Sequence, residues 1–189
     1  MTFDETVKNR ISIRQFRPDP ISEEQLEAIL EAARLAPSGS NLQPTRYMVI
    51  TQKEIREKLS PYIPQRFVVE APVLLVCVAD RRFLDQLSEK ARLTPYNQER
   101  LSWDEATLRS YLTFNAGLSL EHAVLKVTDL GLGSCIIRNF NRKSVAEALG
   151  ISDRYEMVAL LPLGYPATKV EPSHKRLLLS EILLPVPEK

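Results

Sequence analysis

The stretch Val73-Leu74-Leu75-Val76-Cys77-Val78-Ala79 places seven apolar residues in a row with no polar interruption. A strand with one wet face alternates apolar and polar residues. A run that never alternates, at strand length, is covered on both faces. This chain must therefore supply a layer of other elements on each side of its own sheet. A second apolar run over 157–163 makes the same demand. The helical patterns that could answer it are present. Ser22 and Gln25 form a capping box, and Leu26, Ile29, Leu30 and Ala33 follow as an i, i+3, i+4, i+7 stripe. Downstream of Ser102-Trp103-Asp104-Glu105, the residues Ala106, Leu108, Leu112, Ala116, Leu120, Ala123, Val124 and Val127 run to Leu130. They occupy more than one face, as in a helix buried in a core or at a subunit interface. Residues 46–51 and 134–137 read as further strands. Helices thus alternate with about four strands on connections too varied for a βαβ series, which makes the fold class α+β. With 189 residues, 44% of them hydrophobic, the expectation is a single domain over 1–189 with one sizeable core.

The remaining punctuation divides the chain. Phe3–Asn9 reads as a short helix capped by Thr2, and 53–59 as a helix capped by Thr51 and broken by Ser60-Pro61 and Pro64. Residues 81–100 are the least regular part: a helix, a break at Pro95-Tyr96-Asn97, and an excursion placed over a pocket. Gly131-Leu132-Gly133 stops the long helix. Arg138-Asn139-Phe140-Asn141 is a turn, whose Asn141 caps a helix over 142–149 ended by Gly150. A net charge of +1 gives no electrostatic reason to expect nucleic acid or an acidic membrane. No apolar run approaches the roughly 20 residues that span a bilayer. The N-terminus lacks a signal-peptide pattern, and Cys77 and Cys135 match no metal spacing, so a reduced cytoplasmic location is expected.

Two polar segments stand apart from this scaffold. Ala36-Pro37-Ser38-Gly39-Ser40-Asn41-Leu42-Gln43-Pro44 is a nearly uncharged loop between the capped helix and the next strand. It is either a ligand-holding loop or a plain connection. In Arg10-Ile11-Ser12-Ile13-Arg14 the polar residues alternate with isoleucines, so extended backbone aims two guanidiniums and a hydroxyl the same way. That suits an anion, or else makes a solvated basic strand edge. His122 and His174 have no adjacent nucleophile motif. Metal-ligand spacings, the phosphate loop GxxxxGK[ST] and the dinucleotide fingerprint GxGxxG are all absent. Dispersed basic residues and a polar turn point to a bound cofactor carrying the chemistry.

These pieces resemble one family, the FMN-dependent nitroreductases, NAD(P)H:acceptor oxidoreductases. Three blocks carry the resemblance: Arg10-x-Ser12-x-Arg14-x-Phe16; Ala32-Ala33-x-x-Ala36-Pro37-Ser38-Gly39-x-Asn41-x-Gln43-Pro44; and Gly131-Leu132-Gly133-Ser134-Cys135 with Leu163-Gly164-Tyr165-Pro166. The resemblance implies a nitroreductase-like fold, a central mixed sheet surrounded by helices, in an intertwined homodimer with FMN at the interface. It implies that Arg10, Ile11 and Ser12 hold the phosphate end, helped by His174 and Arg176. Arg14 reaches the pyrimidine edge, where a cation favours negative charge on the reduced ring. Pro37, Ser38, Gly39 and Asn41 come from the other subunit. Ile136, Ile137, Arg138 and Asn139 pass the ring and present backbone N–H groups. NADH or NADPH is the implied reductant, and a nitroaromatic, a quinone or a similar small molecule the implied acceptor in ping-pong turnover. Tyr96, Trp103 and Phe140 are candidates for the pocket rim or for the core. Two departures stand out: Arg138-Asn139 where relatives often carry a small Gly or a Glu-Gly pair, and Gln65 near where many relatives have a flavin-edge Asn. A specialised flavoenzyme such as a reductive dehalogenase, or a flavin-binding sensor or interaction module without turnover, are the alternative readings.

Overall fold

The computed structural model describes residues 1–170 and 176–187. Four strands form one sheet in the order β1 (Thr45–Ile50), β2 (Val73–Asp80), β4 (Tyr155–Gly164) and β3 (Gly133–Ser134). The sheet expected to be mixed is antiparallel throughout these strands; its one parallel pairing among the described residues is an isolated bridge from Ser12 to Ser134. Every residue of β2 is buried, and the pleat explains its unbroken apolar sequence. Val73, Leu75, Cys77 and Ala79 enter one core while Leu74, Val76 and Val78 enter the other. A register shift in β4 opposite Cys77 and Val78 puts Val158 and Ala159 together on the first side.

The first core lies under α2 (Glu23–Arg34) and the long α7 (Glu105–Asp129), which pack on each other. Ile29 and Ala33 of the stripe are buried, with Leu26 and Leu30 packed beside them. The second core lies under α3 (Lys53–Lys58), α4 (Phe67–Glu70) and α8 (Arg142–Ala148), through Leu59, Val68, Val69 and Val145. The short α1 (Phe3–Asn9) rests on α7.

The caps at Thr2, Ser22 and Asn141 form as their sequences require, each side chain accepting a backbone N–H of the first turn. α7 is capped by Asp104, which accepts from Thr107 N, and Gly131 closes it at φ +72°. Three expectations are corrected. The residue before α3 is Gln52, not Thr51, because the first helical bond runs from Arg56 N–H to the Gln52 carbonyl at 3.2 Å. The strand expected over 134–137 is regular only at Gly133–Ser134; Cys135 N–H still reaches the Pro162 carbonyl at 3.4 Å, and Ile137 rejoins β4 by a bridge to Leu160. Pro95 does not break a helix but opens one, α6 (Pro95–Leu101), since its missing N–H costs nothing in a first turn. Ahead of it, a 3₁₀ turn at Phe83–Gln86 and α5 (Glu89–Arg92) complete the irregular segment. Among the described residues no helix is long and apolar enough to cross a membrane.

Candidate functional site

The basic N-terminal segment lies along the β3 edge. Ile13 donates its N–H to the Ser134 carbonyl at 2.9 Å and is buried, which leaves Arg10, Ser12 and Arg14 on the other side of the extended backbone. Gly133 permits this approach: a Cβ there would stand under 3 Å from three side-chain atoms of Ile13. Phe16 continues the pairing to Pro166. Among the described residues, neither Arg10 nor Arg14 has a carboxylate within ion-pair reach; Arg14 Nη1 lies 3.5 Å from the Ser12 carbonyl. Arg176 is exposed in the C-terminal segment, also without such a partner among the described residues. His174 falls outside the described residues.

Next to this edge, residues 60–66 meet the turn after β3. Asn141 N–H donates to the Tyr62 carbonyl at 3.0 Å, and a cavity of about 480 Å³ opens between Pro61, Tyr62, Pro64, Arg66, Asn139 and Phe140. In the same segment the Oε1 of Gln65 is buried with no donor among the described residues, an arrangement that folded chains avoid unless something else supplies the hydrogen bond. Ile136 is 40% exposed, and Arg138 and Asn139 are exposed. Ile137 departs from its expected role: its N–H is donated to Leu160 at 2.8 Å and its side chain is buried in the second core. The backbone N–H groups of Ile136, Arg138 and Asn139 make no backbone hydrogen bond among the described residues. Phe140 is core, as is most of Trp103, whereas Tyr96 is exposed.

The loop over 36–44 is built under strain. Ser40, Asn41 and Gln43 have φ of 52°, 54° and 45°, and left-handed non-glycine residues cost of order 1–3 kcal/mol each. The neighbouring chain holds them. Gly39 N–H donates to Asn115 Oδ1 at 2.8 Å, Tyr111 OH donates to the Gly39 carbonyl at 2.9 Å, and Gln43 N–H donates to Ser38 Oγ at 2.9 Å. Arg100 Nη2 donates to Ser40 Oγ at 3.1 Å. A cavity of about 230 Å³ lies between the loop, β1 and α7, lined by Pro37, Ser38, Gln43, Arg46, Tyr47 and Asn115. At its floor Tyr47 OH and Ser119 Oγ are 2.9 Å apart, and Ser119 donates to the Ala33 carbonyl. Burial pushes the Tyr47 phenol up, and pushes the adjacent Cys77 thiol up to about 12, so neither ionises near neutrality. Sequence reasoning missed Arg100, Tyr111, Asn115 and Ser119. The last three recur at i, i+4 and i+8 on α7, a polar line through an otherwise apolar face, and that periodicity was the available signal.

A sequence model described as the nitroreductase family matches residues 7–165. The chain belongs to the nitroreductase family. A Thermus thermophilus relative named NADH dehydrogenase is 36% identical over 191 residues, covering 93% of this chain and 91% of the relative. The structure of a nitroreductase family protein from Streptococcus pneumoniae superposes with a TM-score of 0.86 at 30% identity, covering 98% of this chain and 100% of that one. A protein from Exiguobacterium sibiricum, assigned as a nitroreductase and solved in complex with FMN, superposes with a TM-score of 0.85 at 28% identity over 97% of this chain and 96% of that one.

Within this nitroreductase the basic segment along β3 and the loop over 36–44 lie at opposite corners of the sheet. Ser134 stands level with Leu163 and Val73, whereas Thr45, which follows the strained loop, pairs with Ala79. Six residues of strand separate Val73 from Ala79, about 20 Å, and four interstrand spacings separate β1 from Ser12, about 19 Å. One nitroreductase chain does not bring Arg10, Ser12 and Arg14 together with Pro37, Ser38, Gly39 and Asn41.

Proposed function

We propose that this chain is an FMN-dependent oxidoreductase that takes hydride from NADH or NADPH and delivers it to a nitroaromatic, quinone or similar small acceptor, with each FMN held between two copies. The observation that carries the reading is the division of the site. Cations without a carboxylate partner among the described residues lie at one corner, and the strained loop lies at the diagonal corner. A two-fold dimer joins one corner of each chain to the opposite corner of the other and does so twice.

The residues present fit FMN. Arg10, Ser12 and Arg176 would hold its phosphate, as charge-assisted donors without competing carboxylates among the described residues. Gln65 Oε1 is an acceptor without a donor among the described residues, which the N–H of a flavin pyrimidine would supply. When bound, the flavin supplies the hydride chemistry. The chain supplies orientation and field. Arg14 would favour negative charge at the pyrimidine edge, and the free N–H groups of Ile136, Arg138 and Asn139 would donate to the ring's polar edge in place of Ile137. The partner's copy of the loop would close the other side and exclude water. A monomer leaves the apolar residues Leu177, Leu178, Leu179, Ile182, Leu183 and Leu184 more than 60% exposed, a row that a second chain would cover.

The decisive experiment is purification followed by anaerobic titration of the bound yellow flavin with NADH and with NADPH. Bleaching by either, with recovery on adding a quinone or nitroaromatic, is expected. Protein that takes up no flavin from added FMN, or flavin that neither nucleotide bleaches, would sink the proposal. Arg14→Ala is expected to lower the flavin reduction potential by some tens of millivolts, since removing a cation near the ring disfavours the reduced form. Spectroelectrochemistry measures it, and an unchanged potential would remove Arg14 from the pyrimidine edge.

A further inference from the structure

Arg100 is 4% exposed and, among the described residues, has no carboxylate within ion-pair reach. Its guanidinium lies over Tyr96 at 4.0 Å from the ring centroid, Tyr111 at 5.4 Å and Trp103 at 5.8 Å. Nη1 donates to Asn97 Oδ1 at 2.7 Å, within the same helix, and Nε has no hydrogen-bond partner among the described residues. A buried cation without an anion is among the least favourable groups a core can hold. Aromatic faces and two neutral acceptors offset only part of that cost. A methionine would fill the same space without it. What methionine would not do is make the one polar contact that, among the described residues, leaves the segment, Nη2 to Ser40 Oγ at 3.1 Å.

Ser40 opens the left-handed stretch of the 36–44 loop, and such conformations persist only where surrounding groups hold them. Asn115 and Tyr111 fix Gly39 at one end, and Ser38 fixes Gln43 at the other. Arg100 alone among the described residues holds the hydroxyl between them. We propose that Arg100 is a positioning residue for the flavin-facing loop, acting through Ser40 and tying that loop to α6. The proposal rests on the FMN reading above. It makes the segment over 81–103 part of the cofactor site of the neighbouring chain, although none of its residues need touch the flavin.

The test is FMN titration of the full-length apoprotein, followed by flavin fluorescence and by visible circular dichroism, for R100M, R100K, S40A and R100M/S40A. R100M is expected to weaken FMN binding about tenfold, the usual loss when a charged hydrogen bond is removed. S40A should weaken it comparably and change the flavin dichroism in the same way. The double variant should fall within about twofold of R100M, because both changes remove one link. R100K, whose point charge cannot hold Asn97 and Ser40 together, should keep the fold and behave as R100M. Should R100M not fold, R100K against S40A gives the same comparison. FMN affinity in R100K and S40A within twofold of wild type, or losses that add in the double variant, would overturn the role of Arg100 and leave the FMN reading standing. A wild-type chain that binds no FMN would overturn both.

Discussion

Gly39 is glycine for a steric reason and not a conformational one. Its neighbours Ser40, Asn41 and Gln43 carry the positive φ and Gly39 does not. It is glycine because of Tyr111, whose hydroxyl would lie 2.8 Å from a Cβ at that position and whose Cε2 would lie 2.9 Å away. Gly39→Ala is therefore expected to destabilise the fold by about 1–3 kcal/mol through overpacking and to weaken FMN binding. Urea unfolding and FMN titration measure the two effects. Tyr111→Phe in the same chain should recover part of the stability by removing the hydroxyl, and a double variant no better than G39A would refute the steric account. The caps at Thr2, Ser22 and Asn141 were legible because each rests on a local side-chain-to-backbone bond. The supports of the loop were not. Asn115 lies 76 residues from Gly39 and Arg100 lies 60 from Ser40, and no local pattern encodes such a pairing.

At the scale of elements, the apolar run in β2 and the stripe on α2 announced themselves through periodicity, while β3 shrank because its pairing depends on the path of β4. The end of β2 also carries a charge pair that no pattern announced. Arg154 grips Asp80 through Nε at 2.9 Å and Nη2 at 2.6 Å, and Arg82 N–H adds a third bond at 2.9 Å. Burial works to raise the Asp80 carboxyl, but these donors outweigh it and hold it below the ordinary 3.8. The unfolded chain thus binds a proton at a pH where the folded chain does not. The stabilisation is complete above about pH 4 and is lost as the pH falls through the folded value. The two partners are unequal: the Asp80 side chain is 3% exposed and that of Arg154 is 42%. Arg154→Ala strands a buried carboxylate and is expected to cost about 3 kcal/mol. Asp80→Asn frees a guanidinium that water can reach and should cost about 1–2 kcal/mol. Denaturant unfolding at pH 7 tests the order. Repetition near pH 3 should show the gap between wild type and D80N narrowing, and a gap that widens on acidification would contradict the pairing.

For the whole molecule, the sequence places Arg14 and Pro37 only 23 residues apart, and nothing in that spacing reveals that the fold sends them to opposite corners of the sheet. The proposed division between chains is implied by the resemblance and by no local pattern, because symmetry belongs to the assembly. It has a thermodynamic consequence. If each FMN needs the cations of one chain and the loop of the other, FMN binding and dimer formation are linked, and each strengthens the other by the same factor. Apparent FMN affinity should then fall as the protein is diluted through its dimer dissociation range, by at least about tenfold if the loop contributes one or two hydrogen bonds. Saturating FMN should in turn shift the dimer to lower protein concentration by a matching factor. Flavin fluorescence at several protein concentrations measures the first effect, and sedimentation with and without FMN measures the second. Removing residues 176–187, with their exposed leucines and Arg176, should weaken both together. An FMN affinity that stays constant where sedimentation finds only monomer would mean that one chain builds a complete site, and the diagonal placement of the two half-sites would need another explanation.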